Sequence, residues 1–167
     1  MTVSEPLDIY PEAKFQEALV SLIKDFLSAG NRRFALLQRF GLDVAVFCEA
    51  SSGATVVRFF EVKAFGGQRM GGVGFGNGRG LGPQVDLLLA PDDCLCLFGP
   101  TVRWAYADAT QNPGTARYAL FTCETAKKAA MRDVLRGKQN NLRVSALRPS
   151  LLNWADFCSQ VKHFLLA

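Results

Sequence analysis

Residues 41–65, GLDVAVFCEASSGATVVRFFEVKAF, confine the possible folds more tightly than any other part of the chain. Two runs rich in β-branched and aromatic residues flank SSGA at 51–54, a composition that favours strand, tight turn and return strand. Alternate residues of a strand point to opposite faces, so Glu61 and Lys63 share one face while Phe60, Val62 and Ala64 take the other. Asp43 opens the preceding run, and its separation from Glu61 leaves room for one strand, the turn and the return. A hairpin therefore gathers Asp43, Glu61 and Lys63 in strands that are mostly apolar.

Two carboxylates on neighbouring strands supply the hard oxygen ligands that magnesium prefers. A lysine beside them can orient a water or steady charge on a phosphate. The competing reading is an exposed strand face with an ordinary Glu and Lys. Asp43, a gap, then Glu61-Val62-Lys63 inside a hydrophobic strand resembles the PD-(D/E)XK nuclease superfamily, which includes many restriction enzymes and Holliday-junction resolvases. The resemblance spans about residues 8 to 90, with Leu42 where the pattern has proline. It implies that Asp43 and Glu61 bind magnesium (manganese is an alternative), that the Val62 carbonyl is a further ligand, and that Lys63 positions the attacking water. A glutamate from the first helix, here Glu12, would help to hold the metal, and Gln84 would be an auxiliary contact to the site.

The remaining composition agrees with an enzyme domain of ordinary size. The 167 residues are enough for a substantial core, and 49% hydrophobic with 20% charged residues is a globular composition rather than a disordered one. A net charge of +4 suits a polyanionic partner without requiring one. The five cysteines are odd in number and lie mostly in apolar runs, which favours buried reduced thiols and an intracellular, cytoplasmic protein. Cys94 and Cys96 lack the paired knuckles and histidines of a zinc site. No leader, signal core or membrane-length apolar run is visible, nor any internal repeat or boundary dividing a single domain over 1–167.

Along the chain, residues 11–29 read as a helix with Phe15, Ala18, Leu19, Leu22, Ile23 and Phe26 in one stripe. Glu12 falls near the edge of that stripe and Glu17 opposite it; an acid in a first turn is also favoured by the helix dipole alone. Segment 31–41, with Arg32, Arg33 and Arg39, fits a helix or a strand equally. The glycine-rich stretch 64–84 must be loop or irregular ribbon and lacks the P-loop order and the dinucleotide fingerprint. Its Arg69 and Arg79 can meet phosphates of a nucleic acid or merely be solvated. Gln84 heads a helical turn after Pro83. Two strands follow within 94–109, with a turn at Gly99 and Pro100, and another at 116–124. Trp104, Tyr106, Tyr118 and Phe121 alternate with smaller residues as core. A helix over 122–136 would turn Ala126, Ala129, Ala130 and Val134 to the sheet and set Lys128, Arg132 and Arg136 in a row, to follow a phosphate backbone or face solvent. LRVSALR reads as a last strand, and Ser150 as the cap of a final helix with Leu151, Trp154, Ala155, Cys158 and Val161 inward. His163 reads as a surface residue, and no serine or cysteine motif points at it.

These features point to a three-layer α/β/α domain with a central mixed sheet, the first helix on one side and the helix at 122–136 on the other. The restriction-endonuclease-like form of that fold is implied by the resemblance. The expected function is magnesium-dependent hydrolysis of DNA phosphodiesters, with DNA as partner and no organic cofactor or membrane. No target-recognition domain is evident, which favours a homodimer that places two sites on opposite strands. The alternative is a catalytically inactive or partner-completed nucleic-acid-binding or assembly module with the same fold.

Overall fold

The computed structural model describes residues 12–40, 42–65, 72–74, 98–108, 117–131 and 141–167. The first amphipathic run forms α1 (Glu12–Ala29), with Phe15, Leu19, Leu22, Ile23 and Leu27 buried. It ends in a left-handed turn carried by Asn31, φ 51°, where Asn31 N–H bonds Ser28 O and Arg32 N–H bonds Leu27 O, both at 3.0 Å. Asparagine tolerates this conformation better than other non-glycine residues, and the paired bonds satisfy carbonyls the helix leaves open.

The ambiguous segment after it is a strand, β1 (Phe34–Phe40), antiparallel to β2 (Leu42–Glu49). Phe34 and Leu36 pack on the core while Ala35 and Leu37 are exposed, a period of two that helical wrapping would not produce. β2 returns as β3 (Thr55–Phe65) through the expected turn, closed by Ala50 N–H to Ala54 O at 2.9 Å, with Gly53 at φ 81°. β4 (Gly72–Gly74) lies in the stretch whose glycines predict only loop or ribbon. A 3-10 turn, Gly99–Thr101, leads into β5 (Val102–Asp108), parallel to β3, and β6 (Arg117–Phe121) pairs antiparallel with β5. The five-stranded mixed sheet has the order β1-β2-β3-β5-β6. The protein is thus of mixed α/β class.

Beyond β6 the structure departs from the sequence expectations. The helix expected over 122–136 is α2 (Cys123–Ala129), and Ala130 enters a strand, β7 (Ala130–Met131), paired with β8 (Asn141–Arg143). Ladder pairing overrides the helical preference of the alanine run. β8 also pairs with β4, giving a second sheet of order β4-β8-β7. Of LRVSALR, only Leu142 and Arg143 are strand; α3 (Val144–Leu147) and a 3-10 turn, Arg148–Ser150, follow. Ser150 ends that turn and caps nothing. The cap of the last helix, α4 (Trp154–Leu166), is Asn153, whose side-chain oxygen accepts the Asp156 N–H at 2.8 Å. The start is displaced because Leu152 is first tied to Tyr118 by reciprocal backbone bonds of 2.9 and 2.6 Å. Trp154, Cys158 and Val161 are buried as their spacing predicts, joined by Phe157, Phe164 and Leu165, whereas Ala155 is exposed.

Helices cover both faces of the large sheet. α1 and α4 pack with Val44, Val46, Phe60, Val62, Ala105, Ala107 and Tyr118. On the other face Cys123, Ala126 and Ala129 of α2, with Leu147 of α3, pack with Trp104, Tyr106, Ala119 and Phe121. All four aromatics expected in the core are there. Cys48, Cys123 and Cys158 are free buried thiols; Cys94 and Cys96 lie outside the described residues. Among the described residues no helix is long and apolar enough to cross a membrane.

Phe157 joins α4 to α1 and β6, its ring 5.8 Å from Phe15, 5.6 Å from Tyr118 and 5.5 Å from Trp154. Phe157→Ala should cost about 3–5 kcal/mol, read as a lower urea midpoint. Leu37→Ser, at an exposed position, should change stability by less than about 0.5 kcal/mol.

Candidate active site

The candidate site is built on a fork between β2 and β3. β1 and β2 remain paired as far as Phe40 and Leu42, but the register of β2 with β3 stops at Val44 and Phe60. Val62 is left without a ladder partner on β2, and side chains take that place. Asp43 Oδ2 accepts the Val62 N–H at 2.7 Å, and Lys63 Nζ donates to the Val62 carbonyl at 3.0 Å. Both backbone groups are thereby satisfied, as a buried strand requires.

Lys63 Nζ also lies 2.7 Å from Glu61 Oε1 and 3.8 Å from Glu12 Oε1. The Glu61 carboxyl lies close enough to Asp43 for the Asp43 charge to act on it directly. The first turns of α1 close the fork from one side: Glu12 accepts the Ala64 N–H, and Gln16, one turn on, donates Nε2 to Asp43 O at 3.4 Å. The four predicted residues Glu12, Asp43, Glu61 and Lys63 therefore meet at one point, together with the Val62 carbonyl.

This is not an exposed strand face. Glu61 is 3% and Lys63 6% exposed, and such residues are almost never buried without partners. Burial, reinforced by the Asp43 charge and opposed by Lys63, pushes the Glu61 carboxyl up to about 7. Burial likewise raises Glu12, again with Asp43 adding and Lys63 opposing. For Lys63, burial works to lower the ammonium's pKa, but Glu61, Glu12 and Asp43 together outweigh it and raise it. One permanently charged ammonium thus stands among three acids that cannot all ionise without strain.

For a divalent cation the donor set fits in kind: two carboxyl groups close together, a third nearby and a backbone carbonyl, all hard oxygens with surplus negative charge. Among the described residues, no three Asp, Glu, His or Cys side chains are spaced to hold an ion as they stand; the Lys63 ammonium sits among these oxygens instead.

The other predicted residues divide into two groups. Gln84, Arg69, Arg79, Arg132 and Arg136 lie outside the described residues. Lys128 is exposed on α2 and bonded to Glu124 at 2.7 Å, and the helix that carries it ends at Ala129. His163 is exposed.

Sequence reasoning missed Gln16 and a neighbouring group on β5. Tyr106 sits beside Lys63 in the parallel register. Its buried phenol is raised far above its usual pKa, by burial first and then by Asp108. Asp108 itself is 6% exposed and lies 3.5 Å from Arg148 Nε. The signal available was the one used for Asp43: Asp108 is an acid at the end of an apolar strand run, RWAYAD.

No family model, curated protein or solved structure matches the chain.

Between the ordinary carboxyl value of 4.5 and its folded value of about 7, Glu61 holds more proton in the folded state than in the unfolded one. Its contribution to stability is complete below about 4.5 and is lost as pH rises through about 7. In EDTA, urea unfolding should show stability falling with pH across this window, with a Glu61 share on the order of 3 kcal/mol. Glu61→Gln should flatten that slope; equal slopes in the two proteins would refute the assignment.

Proposed function

We propose that the chain is a metal-dependent DNA endonuclease with a restriction-endonuclease-like sheet. The observation that carries this reading is the cluster of Glu12, Asp43 and Glu61 around the single ammonium of Lys63 at the β2–β3 fork. With every group ionised the cluster is left with surplus negative charge, an arrangement that a divalent cation relieves better than protonation does. A purely structural Glu–Lys pair would need neither Asp43 nor Glu12. The order of elements also supports the reading: helix, hairpin, and an Asp and Glu-x-Lys at the same fork, as the resemblance implies.

Asp43, Glu61 and the Val62 carbonyl would hold magnesium or manganese, with Glu12 beside them. The ion, when bound, supplies a lower pKa for its water and neutralises charge on the phosphate. Lys63 donates hydrogen bonds that orient the attacking water and offsets negative charge growing on the phosphoryl oxygens. Burial strengthens both effects by lowering the local dielectric. Asp43 has a second duty, since its bond to the Val62 N–H fixes the distance between the strands that carry the acids. Gln84, Arg69, Arg79, Arg132 and Arg136 would add contacts to the site and to the DNA backbone, and a homodimer would bring two such sites to opposite strands.

One observation favours the second reading, an inactive nucleic-acid-binding module. Lys63 Nζ already satisfies both Glu61 and the Val62 carbonyl, leaving the fork self-sufficient without a metal.

Plasmid nicking and calorimetric metal titration separate the two. Under the nuclease reading, Glu61→Gln should lose metal binding and nicking together. Lys63→Met should retain metal and lose nicking by about 10²–10³-fold. Folding should survive Lys63→Met near neutral pH, because Glu61 can then take up a proton instead of remaining a bare buried charge; circular dichroism checks this. Wild-type nicking in magnesium that both variants match would sink the nuclease reading. Binding to duplex DNA should also weaken steeply between 50 and 200 mM salt, by about 10-fold or more, if several Lys and Arg meet phosphates; a filter-binding series measures it.

A further inference from the structure

On the face of the sheet that α4 covers, towards the amino ends of β3 and β5, the structure holds a cleft of about 670 Å³. That volume is in the range of small-molecule sites. It is remote in kind from the fork: Arg58 shares the strand face of Phe60 and Val62, opposite to Glu61 and Lys63, and lies nearer the start of β3. Arg103, next to Phe60 in the parallel register, lines the same cleft.

Both guanidinium groups lie against one ring. The Arg103 guanidinium carbon is 4.6 Å and that of Arg58 5.3 Å from the Phe164 centroid. Each is held by main-chain carbonyls: Arg58 Nε donates to Phe164 O at 2.9 Å, and Arg103 Nη1 donates to Gly99 O at 2.7 Å and Val102 O at 2.8 Å. Arg58 is only 8% exposed. Among the described residues neither arginine has an acidic partner, and no Asp or Glu lines the cleft. Buried charges are ordinarily paired, and here two of the same sign are brought together. Burial, with the Arg58 charge adding to it, holds the Arg103 guanidinium below its usual pKa. Part of the role is structural, since Arg58 satisfies a carbonyl in the last turn of α4. That role needs one guanidinium, not two, and leaves Arg103 Nε and Nη2 and Arg58 Nη2 without a protein acceptor among the described residues. Gln160 and His163 of α4 add further polar groups to the wall.

We propose that this cleft is a binding site for the dianionic phosphate-monoester group of a small ligand, separate from the acidic fork. Guanidinium forks match phosphoryl oxygens in geometry. Arg103 offers such a fork through Nε and Nη2 and Arg58 a single N–H through Nη2, and their two positive charges match a dianion better than a carboxylate or a phosphodiester, each of which carries a single charge. Both guanidinium groups are already immobilised by their carbonyl bonds and the Phe164 ring, so little side-chain entropy is lost on binding.

Calorimetry with inorganic phosphate tests the site, with acetate and a duplex oligonucleotide as comparison probes. One phosphate per chain should bind, acetate should bind at least about tenfold more weakly, and the duplex should not displace phosphate. Arg103→Met should weaken phosphate binding by about tenfold or more. Gln160→Glu, at an exposed helix position that threatens no packing, should weaken it several-fold by placing a carboxylate at the wall. Glu61→Gln should leave it unchanged. The proposal is overturned if phosphate does not bind at millimolar concentration, if acetate binds equally well, or if the duplex competes. It is equally overturned if Glu61→Gln abolishes binding while Gln160→Glu does not affect it.

Discussion

The candidate site depends on a single contact, the acceptance of the Val62 N–H by Asp43 Oδ2. Two antiparallel strands that part inside a protein leave buried donors and acceptors facing each other across the gap, and each such group left unmet costs about 1–3 kcal/mol. By spanning the gap from β2, Asp43 lets the strands separate beyond Val44 and Phe60 without that penalty. The separation creates room for the Lys63 ammonium against the Val62 carbonyl and for Glu61 beside it. An alanine at 43 would remove an acid from the cluster and also the reason the cluster has space.

Charge balance at the fork works in a chain of dependence. Glu61 is buried because Lys63 is beside it, and Lys63 remains charged despite burial because three acids surround it. The N-terminal turn of α1 completes the arrangement from the opposite core through Glu12 and Gln16. The site therefore draws on the helix layer as well as the hairpin. Removing an ion-pair partner from such an interior is far more damaging than replacing the whole set with apolar residues of similar volume.

Much of this was legible in the residues. Asp43, Glu61 and Lys63 stand out because charged side chains interrupt apolar strands, and period-two alternation put the last two on one face. Helical geometry left Glu12 rather than Glu17 able to look inward, and the resemblance implied its place at the site. What could not be read is the consequence of tertiary pairing. Ala130 has the propensity of a helix residue but is claimed by a ladder with Leu142. Ser150 looks like a cap, but Leu152 is held to Tyr118 before the helix can begin. Gln16 carries no local signal beyond being polar, and its importance comes from what packs against it. Segment 34–40 has apolar residues compatible with two periods, and only the neighbouring strand decides between them.

The last helix meets the hairpin through partners very distant in sequence. Arg58 reaches Phe164 O across 106 positions, and the Cys48 thiol reaches Leu165 O across 117. The hairpin itself is local and can form within microseconds, whereas contacts of this span carry a large loop-closure entropy and form slowly. During synthesis, at about 5–20 residues per second, the apolar underside of β2 and β3 therefore waits several seconds for its cover. In that interval α1, among the described residues, is the cover already made, and the nascent sheet is most exposed to wrong pairing with another chain.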